Sequence, residues 1–415
     1  MTAPALIRRT TLPAALGSLV SLAAQATMAL FLLGLFEPQA VGVFSVIAQI
    51  AFGWAMLALA QGHVSLLANQ HMPAAPAARK TWRNSLNRWA WLTPAAALAA
   101  WWASRTGAPP ASDITSWASS LAWAGAIALL QMGWLLAHSL TLRMNSPMAI
   151  GAVRMLPPVL AAALAGVGAL ALDWRHSNTL TSAALMGYAA GALWLLPALR
   201  GPHATDPLAP APLPAAAGDG RSERLKFIHT FSDVLVATAL AAHWASVYGA
   251  AQAGCLLVLL RVMGFIPALL GTAWAQVLLS RPLVPRPSSA LAALAGVLSV
   301  ATLALLIGLA LHKGWLAGPW SALQDYLWPL ALWQMAASVM AAASHRPFMH
   351  GQAARYTRQC LAMNAVQALL LLLPPWLDWP LQTHLWALAG FWGVALTLQA
   401  LWAAQLEPAD TGDRR

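Results

Sequence analysis

The chain has 415 residues, of which 60% are hydrophobic and only 8% are charged. Soluble domains carry about 25% charged residues, so no water-covered surface can be built from this composition. The net charge of +11 would suit a nucleic-acid binder, but the basic residues sit mostly in alternate loops rather than on one soluble face, and that class is set aside.

The apolar residues come in long blocks, and a helix of about 18 or more such residues crosses the ~30 Å hydrocarbon core of a bilayer. A helix also satisfies its own backbone hydrogen bonds there. The short alternating segments of a β-barrel are not seen. In chain order the spans are expected at residues 12–35, 41–62, 89–104, 117–140, 148–172, 179–198, 227–248, 251–279, 288–311, 322–343, 359–377 and 384–404. The first follows Arg8 and Arg9 and is too long for a signal-peptide core, so it is read as a retained span. The third is short. The eighth is long and should tilt or bend near Pro267.

Residues 201–225 are proline-rich and polar and read as an extended cytoplasmic linker. The expected organisation is a six-helix bundle over 1–200, the linker, a second six-helix bundle over 226–406, and a cytoplasmic tail over 407–415. The fold class is therefore an all-α polytopic membrane protein of about twelve transmembrane helices. With the N-terminus inside, only Arg105, Arg175 and Lys313 fall in outer loops and Arg261 inside a span; every other Lys and Arg is inner. Trp89, Trp91, Trp101, Trp102, Trp174, Trp315, Trp320, Trp376 and Trp379 mark span ends, as an interfacial aromatic belt would. Cys255 and Cys360 lie in apolar blocks near opposite faces and read as packing residues, not a disulfide.

The halves align weakly. Setting Gly42 against Gly254 pairs Val46 with Val258 and Gln49 with Arg261. Two parallel bundles would then be related by a pseudo-twofold axis along the membrane normal.

The turn Leu35-Phe36-Glu37-Pro38-Gln39-Ala40-Val41-Gly42-Val43-Phe44 resembles the turn between the first two helices of polysaccharide-unit flippases. These are the O-antigen translocases of the multidrug/oligosaccharidyl-lipid/polysaccharide exporter superfamily. The Asp233 helix resembles their seventh helix, and Ala253 to Arg261 with Phe265-Ile266-Pro267 resembles their eighth. The resemblance implies a two-lobed cavity, alternating access, and a polyprenyl-pyrophosphate-linked oligosaccharide as substrate. It implies a monomer in the bacterial inner membrane, both termini cytoplasmic, serving surface polysaccharide assembly, with possible coupling to protons or sodium. Such flippases carry several cavity arginines, including on their first two helices; here Gln49 stands at the matching place.

A charge inside a span costs about 2.5–3.5 kcal/mol on insertion scales, so each marks a functional candidate. Arg261 can grip a pyrophosphate bidentately, or serve as a structural ion pair. Asp233 is the candidate for ion coupling, with His229 one turn before it; alternatively Asp233 pairs with Arg261. Gln25, Gln49, Gln131 and His243 are candidate substrate-binding residues. Ser18, Ser21, His138, Gln334, Asn364 and Gln367 are weaker polar marks, read first as helix-to-helix hydrogen bonds and second as sugar-binding groups of a cavity.

No Gly-Lys-Ser/Thr phosphate loop and no cluster with metal-ligand spacing occurs, so neither cofactor nor metal is expected. A drug or metabolite exporter of the same broad fold is the second reading and would lean on Asp233. A membrane-embedded polysaccharide polymerase or glycosyltransferase would need a sizeable charged outer loop. Residues 105–116 and 312–321 are too short and too poor in acids, so no enzyme is expected.

Overall fold

A computed structural model describes residues 20–21, 23–60, 62–68, 72–105, 117–144, 147–200, 220–271, 289–316 and 318–406. Among the described residues every regular element is a helix. In order they are α1 (Ala23–Leu35), α2 (Pro38–Leu59), α3 (Gly62–Ala68), α4 (Ala74–Arg105), α5 (Trp117–Arg143), α6 (Pro147–Ala171) and α7 (Ser177–Ala192). A 3-10 turn leads into α8 (Leu196–Arg200), followed by α9 (Gly220–Tyr248), α10 (Ala250–Leu269), α11 (Ser289–His312), α12 (Leu323–Ala343), α13 (Arg346–Met349), α14 (Ala353–Trp376) and α15 (Leu381–Ala404). Among the described residues, eight segments are long and apolar enough to cross a membrane. The expected polytopic helical membrane protein is what the chain forms.

Two helices begin earlier than their apolar residues suggest. The third span was expected at 89–104, but α4 starts at Ala74. Its first half carries Arg79, Lys80, Arg83 and Arg88, which hide a helix from any reading based on hydropathy. Likewise α9 starts at Gly220, inside the segment expected to be linker. Residues 12–19 of the first span, 201–219 of the linker, 272–279 of the eighth span and the 407–415 tail lie outside the described residues.

The chain divides into two compact units, Met1–Gly254 and Cys255–Arg415. The boundary falls in the second turn of α10. Helix α9, expected in the second bundle, packs on α2 within the first unit. Gly53 permits this contact: a Cβ there would lie 2.7 Å from Thr238 Oγ1 and 3.0 Å from a Val234 methyl.

In the first unit α5 is central, packed by α2, α4, α6 and α7 around Ile47, Trp54, Ile127, Met132 and Leu136. Helix α6 contains Pro157, which has no N–H to give the Val153 carbonyl four residues back. The indole Nε1 of Trp134 on α5 donates to that carbonyl instead, at 2.8 Å. Gly187 and Gly191 on α7 leave room for Pro157: a Cβ at either would overlap it.

Trp89, expected at the interface, instead stacks on Trp54 at 5.9 Å and donates to the Gly125 carbonyl at 3.1 Å. Trp320, also expected there, is buried. Trp91, Trp101, Trp174, Trp315 and Trp376 are exposed, as belt residues must be.

In the second unit α12 packs against α11 and α15, and α14 packs on α15. Trp333 and Trp392 stack at 5.6 Å across α12 and α15. Helix α11 turns Leu291, Leu294, Leu298 and Leu305 outward. A leucine stripe of this kind suits acyl chains and no aqueous surface. Cys255 and Cys360 form no disulfide.

Candidate functional site

The polar candidates fall into separate groups. On α9, His229 Nδ1 lies 3.4 Å from Asp233 Oδ1, one turn apart, so the two side chains form a pair. Asp233 is about half exposed. Helix α9 starts at Gly220, so Asp233 sits in its middle. His243 is half-buried two to three turns further on.

The glutamines are dispersed over the first unit. Gln25 is exposed on α1 and donates to Ser21 at 3.2 Å, whereas Ser18 lies outside the described residues. Gln49 is half-buried on α2. Gln131 is buried in α5 and its amide reaches the Tyr188 hydroxyl of α7 at 3.4 Å. In the second unit Arg261 projects from the middle of α10 with its side chain exposed, between the buried Leu259 and Met263. Gln334, Asn364 and Gln367 are buried within that unit, joined by His384 and Gln399.

A second polar group was not read as a site from the sequence. It lies where α2 ends, α5 ends and α6 begins. Three arginines of these helices and of α4 do different work. Arg88 donates to the Ala58 and Leu59 carbonyls at 3.4 and 3.3 Å, closing the C-terminus of α2. Arg143 donates to the Leu66 carbonyl at 3.1 Å and also to that of Met72. Both therefore hold helix ends. Arg154, two turns into α6, instead directs its Nε to His138 Nε2 at 2.8 Å. For this bond His138 must present a lone pair, so the imidazole is neutral with its proton on Nδ1.

His63 on α3 lies close enough to His138 for the two rings to interact electrostatically. Burial pulls His63 below its ordinary value near 6.5, and its Nδ1 has no hydrogen-bond partner among the described residues. None of the helices α2 to α8 contains an aspartate or glutamate. Sequence reasoning counted Arg154 only as an inner-side charge. Its depth in the span and its spacing from His138 in sequence were the available signal.

The sequence matches no protein-family model and no curated protein sequence. The fold does have relatives among solved structures. One is a multidrug resistance MATE family transporter of the MOP superfamily in an inward-facing conformation, with TM-score 0.55 and 11% identity, covering 92% of this chain and 93% of that one. Another is a MOP superfamily transporter from Pyrococcus furiosus, whose binding pocket is described as reversed in polarity, suggesting a different function. It gives TM-score 0.53 and 14% identity, covering 96% of this chain and 94% of that one. Over nearly its whole length the chain therefore has the fold of the MOP-superfamily transporters.

Proposed function

We propose that the chain translocates a polyprenyl-pyrophosphate-linked oligosaccharide across the bacterial inner membrane by alternating access, for surface polysaccharide assembly. The observation that carries this reading is a cation in mid-helix: α10 exposes Arg261 midway along its length, and helices α2 to α8 hold cations and no carboxylate. Fixed guanidinium groups suit a cargo bearing phosphates and repel a cationic drug. In this reading Arg261 anchors the pyrophosphate, Gln25, Gln49, Gln131 and His243 serve the sugars, and Asp233 with His229 carries a coupling proton or sodium ion.

A drug or metabolite exporter is the second reading. It is favoured by the likeness to a multidrug transporter and by the partly exposed carboxylate of Asp233. The test is deletion in the host, followed by extraction of polyprenyl-linked oligosaccharides. Their membrane face is read with an impermeant sugar-modifying enzyme on oriented vesicles. Complete units trapped on the cytoplasmic face, and still trapped when Arg261→Ala is supplied, are the expected result. Units that reach the outer face unpolymerised would point to a polymerase. Unchanged saccharide pools would turn the reading to small-molecule efflux.

A further inference from the structure

We propose that the exposed face of α4 seats one anionic phospholipid, its phosphate on Lys80 and Arg83 and its acyl chains along Trp91 and Leu98. The seat does not depend on which cargo is carried.

Helix α4 has 32 residues and is therefore about 48 Å long. Only ~30 Å of that fits within hydrocarbon. The surplus lies at the Ala74 end, because Arg79, Lys80, Arg83 and Arg88 all precede Trp89, and no charge follows until Arg105. The helix thus passes from headgroups to hydrocarbon near Trp89.

The helical period separates two faces. Ala78 and Ser85 are fully buried, and Trp82, Trp89, Leu92 and Ala96 pack against the core of the first unit. On the other side Lys80, Arg83, Asn84, Asn87, Trp91 and Leu98 are exposed. Lys80, Asn84, Asn87 and Trp91 follow one another at steps of three or four residues, and Leu98 lies two turns beyond, so they form one line along the helix. The cations of α4 are therefore not alike. Arg88 closes the end of α2 and Arg79 is half-buried, whereas Lys80 and Arg83 are turned outward.

Along this line the chemistry changes in the order in which a phospholipid changes. Lys80 and Arg83 offer charge-assisted donors to a phosphate. About 6 Å further along the axis, the carboxamides of Asn84 and Asn87 offer donors to ester carbonyls. Trp91 stands about 6 Å beyond Asn87, where an amphipathic ring suits the interface, and Leu98 about 10 Å deeper. The flexible stems of Lys80 and Arg83 let their heads settle at phosphate depth. A zwitterionic lipid brings its own cation beside the phosphate, so two basic side chains favour a headgroup of net negative charge.

The full chain in detergent is titrated with phosphatidylglycerol and, separately, with phosphatidylcholine, and bound lipids are counted by native mass spectrometry. Phosphatidylglycerol should bind more tightly, and its advantage should shrink as salt rises. Lys80→Gln and Arg83→Gln should each weaken it about fivefold and leave phosphatidylcholine unchanged. Trp91→Ala should weaken both lipids, since the ring meets what they share. Lys313→Gln removes an exposed cation beyond the end of α11 and should alter neither. An unchanged Tm shows that each variant is folded.

If Lys313→Gln costs as much as Arg83→Gln, the attraction is diffuse and the site is overturned. Phosphatidylglycerol binding that ignores both Lys80→Gln and Arg83→Gln in folded protein overturns it as well. Residues 201–225 carry Asp206, Asp219 and Glu223. A preference for phosphatidylglycerol that emerges only after these three are changed to Asn, Asn and Gln gives the face to the chain's own acids and overturns the lipid. Displacement of phosphatidylglycerol by an equal concentration of polyprenyl pyrophosphate overturns the assignment to phospholipid and makes the face a landing place for lipid pyrophosphates.

Discussion

Gly42 on α2 and Gly254 on α10 face each other reciprocally. A Cβ built on Gly42 would run into the Ala250 carbonyl and the Gly254 amide; one built on Gly254 would run into the Pro38 carbonyl and the Gly42 amide. Each glycine thus meets its partner and the residue four before it, so Pro38–Gly42 and Ala250–Gly254 approach as mirror roles of one contact. Close backbone approach is how membrane helices gain van der Waals contact where no hydrophobic effect separates helix from lipid. Gly42→Ala should destabilise the chain by about 1–3 kcal/mol, read as a lowered Tm in detergent. Gly34→Ala, whose Cβ would meet nothing within 4 Å, should leave Tm unchanged. Equal Tm values for the two variants would contradict the contact.

Helix α2 ends at Ala60 with φ 44, a left-handed conformation that glycine adopts far more easily. Relief of that strain makes Ala60→Gly stabilising, by up to about 1 kcal/mol. Arg88→Ala acts in the opposite direction, because it strips the donor from the Ala58 and Leu59 carbonyls. Thermal unfolding of the two variants, compared with the parent, measures both signs.

Trp134→Phe keeps an aromatic ring against Tyr188, which it meets at 5.4 Å, but removes the indole N–H. The Val153 carbonyl, already denied a donor by Pro157, is then left without one. The expected cost is about 1–3 kcal/mol. Restoring the helical donor with Pro157→Ala in the same chain should recover part of it, and a double-mutant cycle on Tm tests the coupling.

His63 gives a pH dependence with a definite sign. Burial holds its ring in the neutral form in the folded chain, so its folded-state value lies below the ordinary 6.5. The unfolded chain therefore binds more protons, and stability rises with pH. This contribution is complete above about pH 6.5 and is lost as pH falls below it toward the lower folded value. Tm measured between pH 7.5 and 5.5 should drop, and drop less in His63→Gln. An unchanged slope in that variant would assign the dependence to other groups.

Composition alone made the membrane character and the helical class legible, because long apolar blocks have few physical outcomes. The Gly42–Gly254 alignment was also visible, as a weak match between two turns that the fold brings into contact. What was hidden follows from the same reliance on hydropathy. The first half of α4 is helical but carries Arg79, Lys80, Arg83 and Arg88, and no apolar window detects it. Trp89 sits at an apolar boundary in sequence, yet its ring and N–H are directed at Trp54 and Gly125; side-chain direction is not encoded in position. Arg154 was absorbed into a topological count of charges together with Arg88 and Arg143, which hold helix ends, whereas Arg154 reaches His138. Telling these arginines apart requires knowing which atoms they reach, which only packing reveals. Asp233 and His229, one turn apart on one helix, were readable as a pair because the period of a helix suffices to place them.

The absence of carboxylates from α2 to α8 has an electrical consequence. In an energised membrane a charge feels the transmembrane voltage, and moving one elementary charge through all of it involves about 2.3 kcal/mol per 100 mV. Helices α2 to α8 hold no carboxylate that would cancel that force. Any rearrangement that carries Arg154 through a fraction of the field is therefore driven one way and resisted the other, in proportion to that fraction.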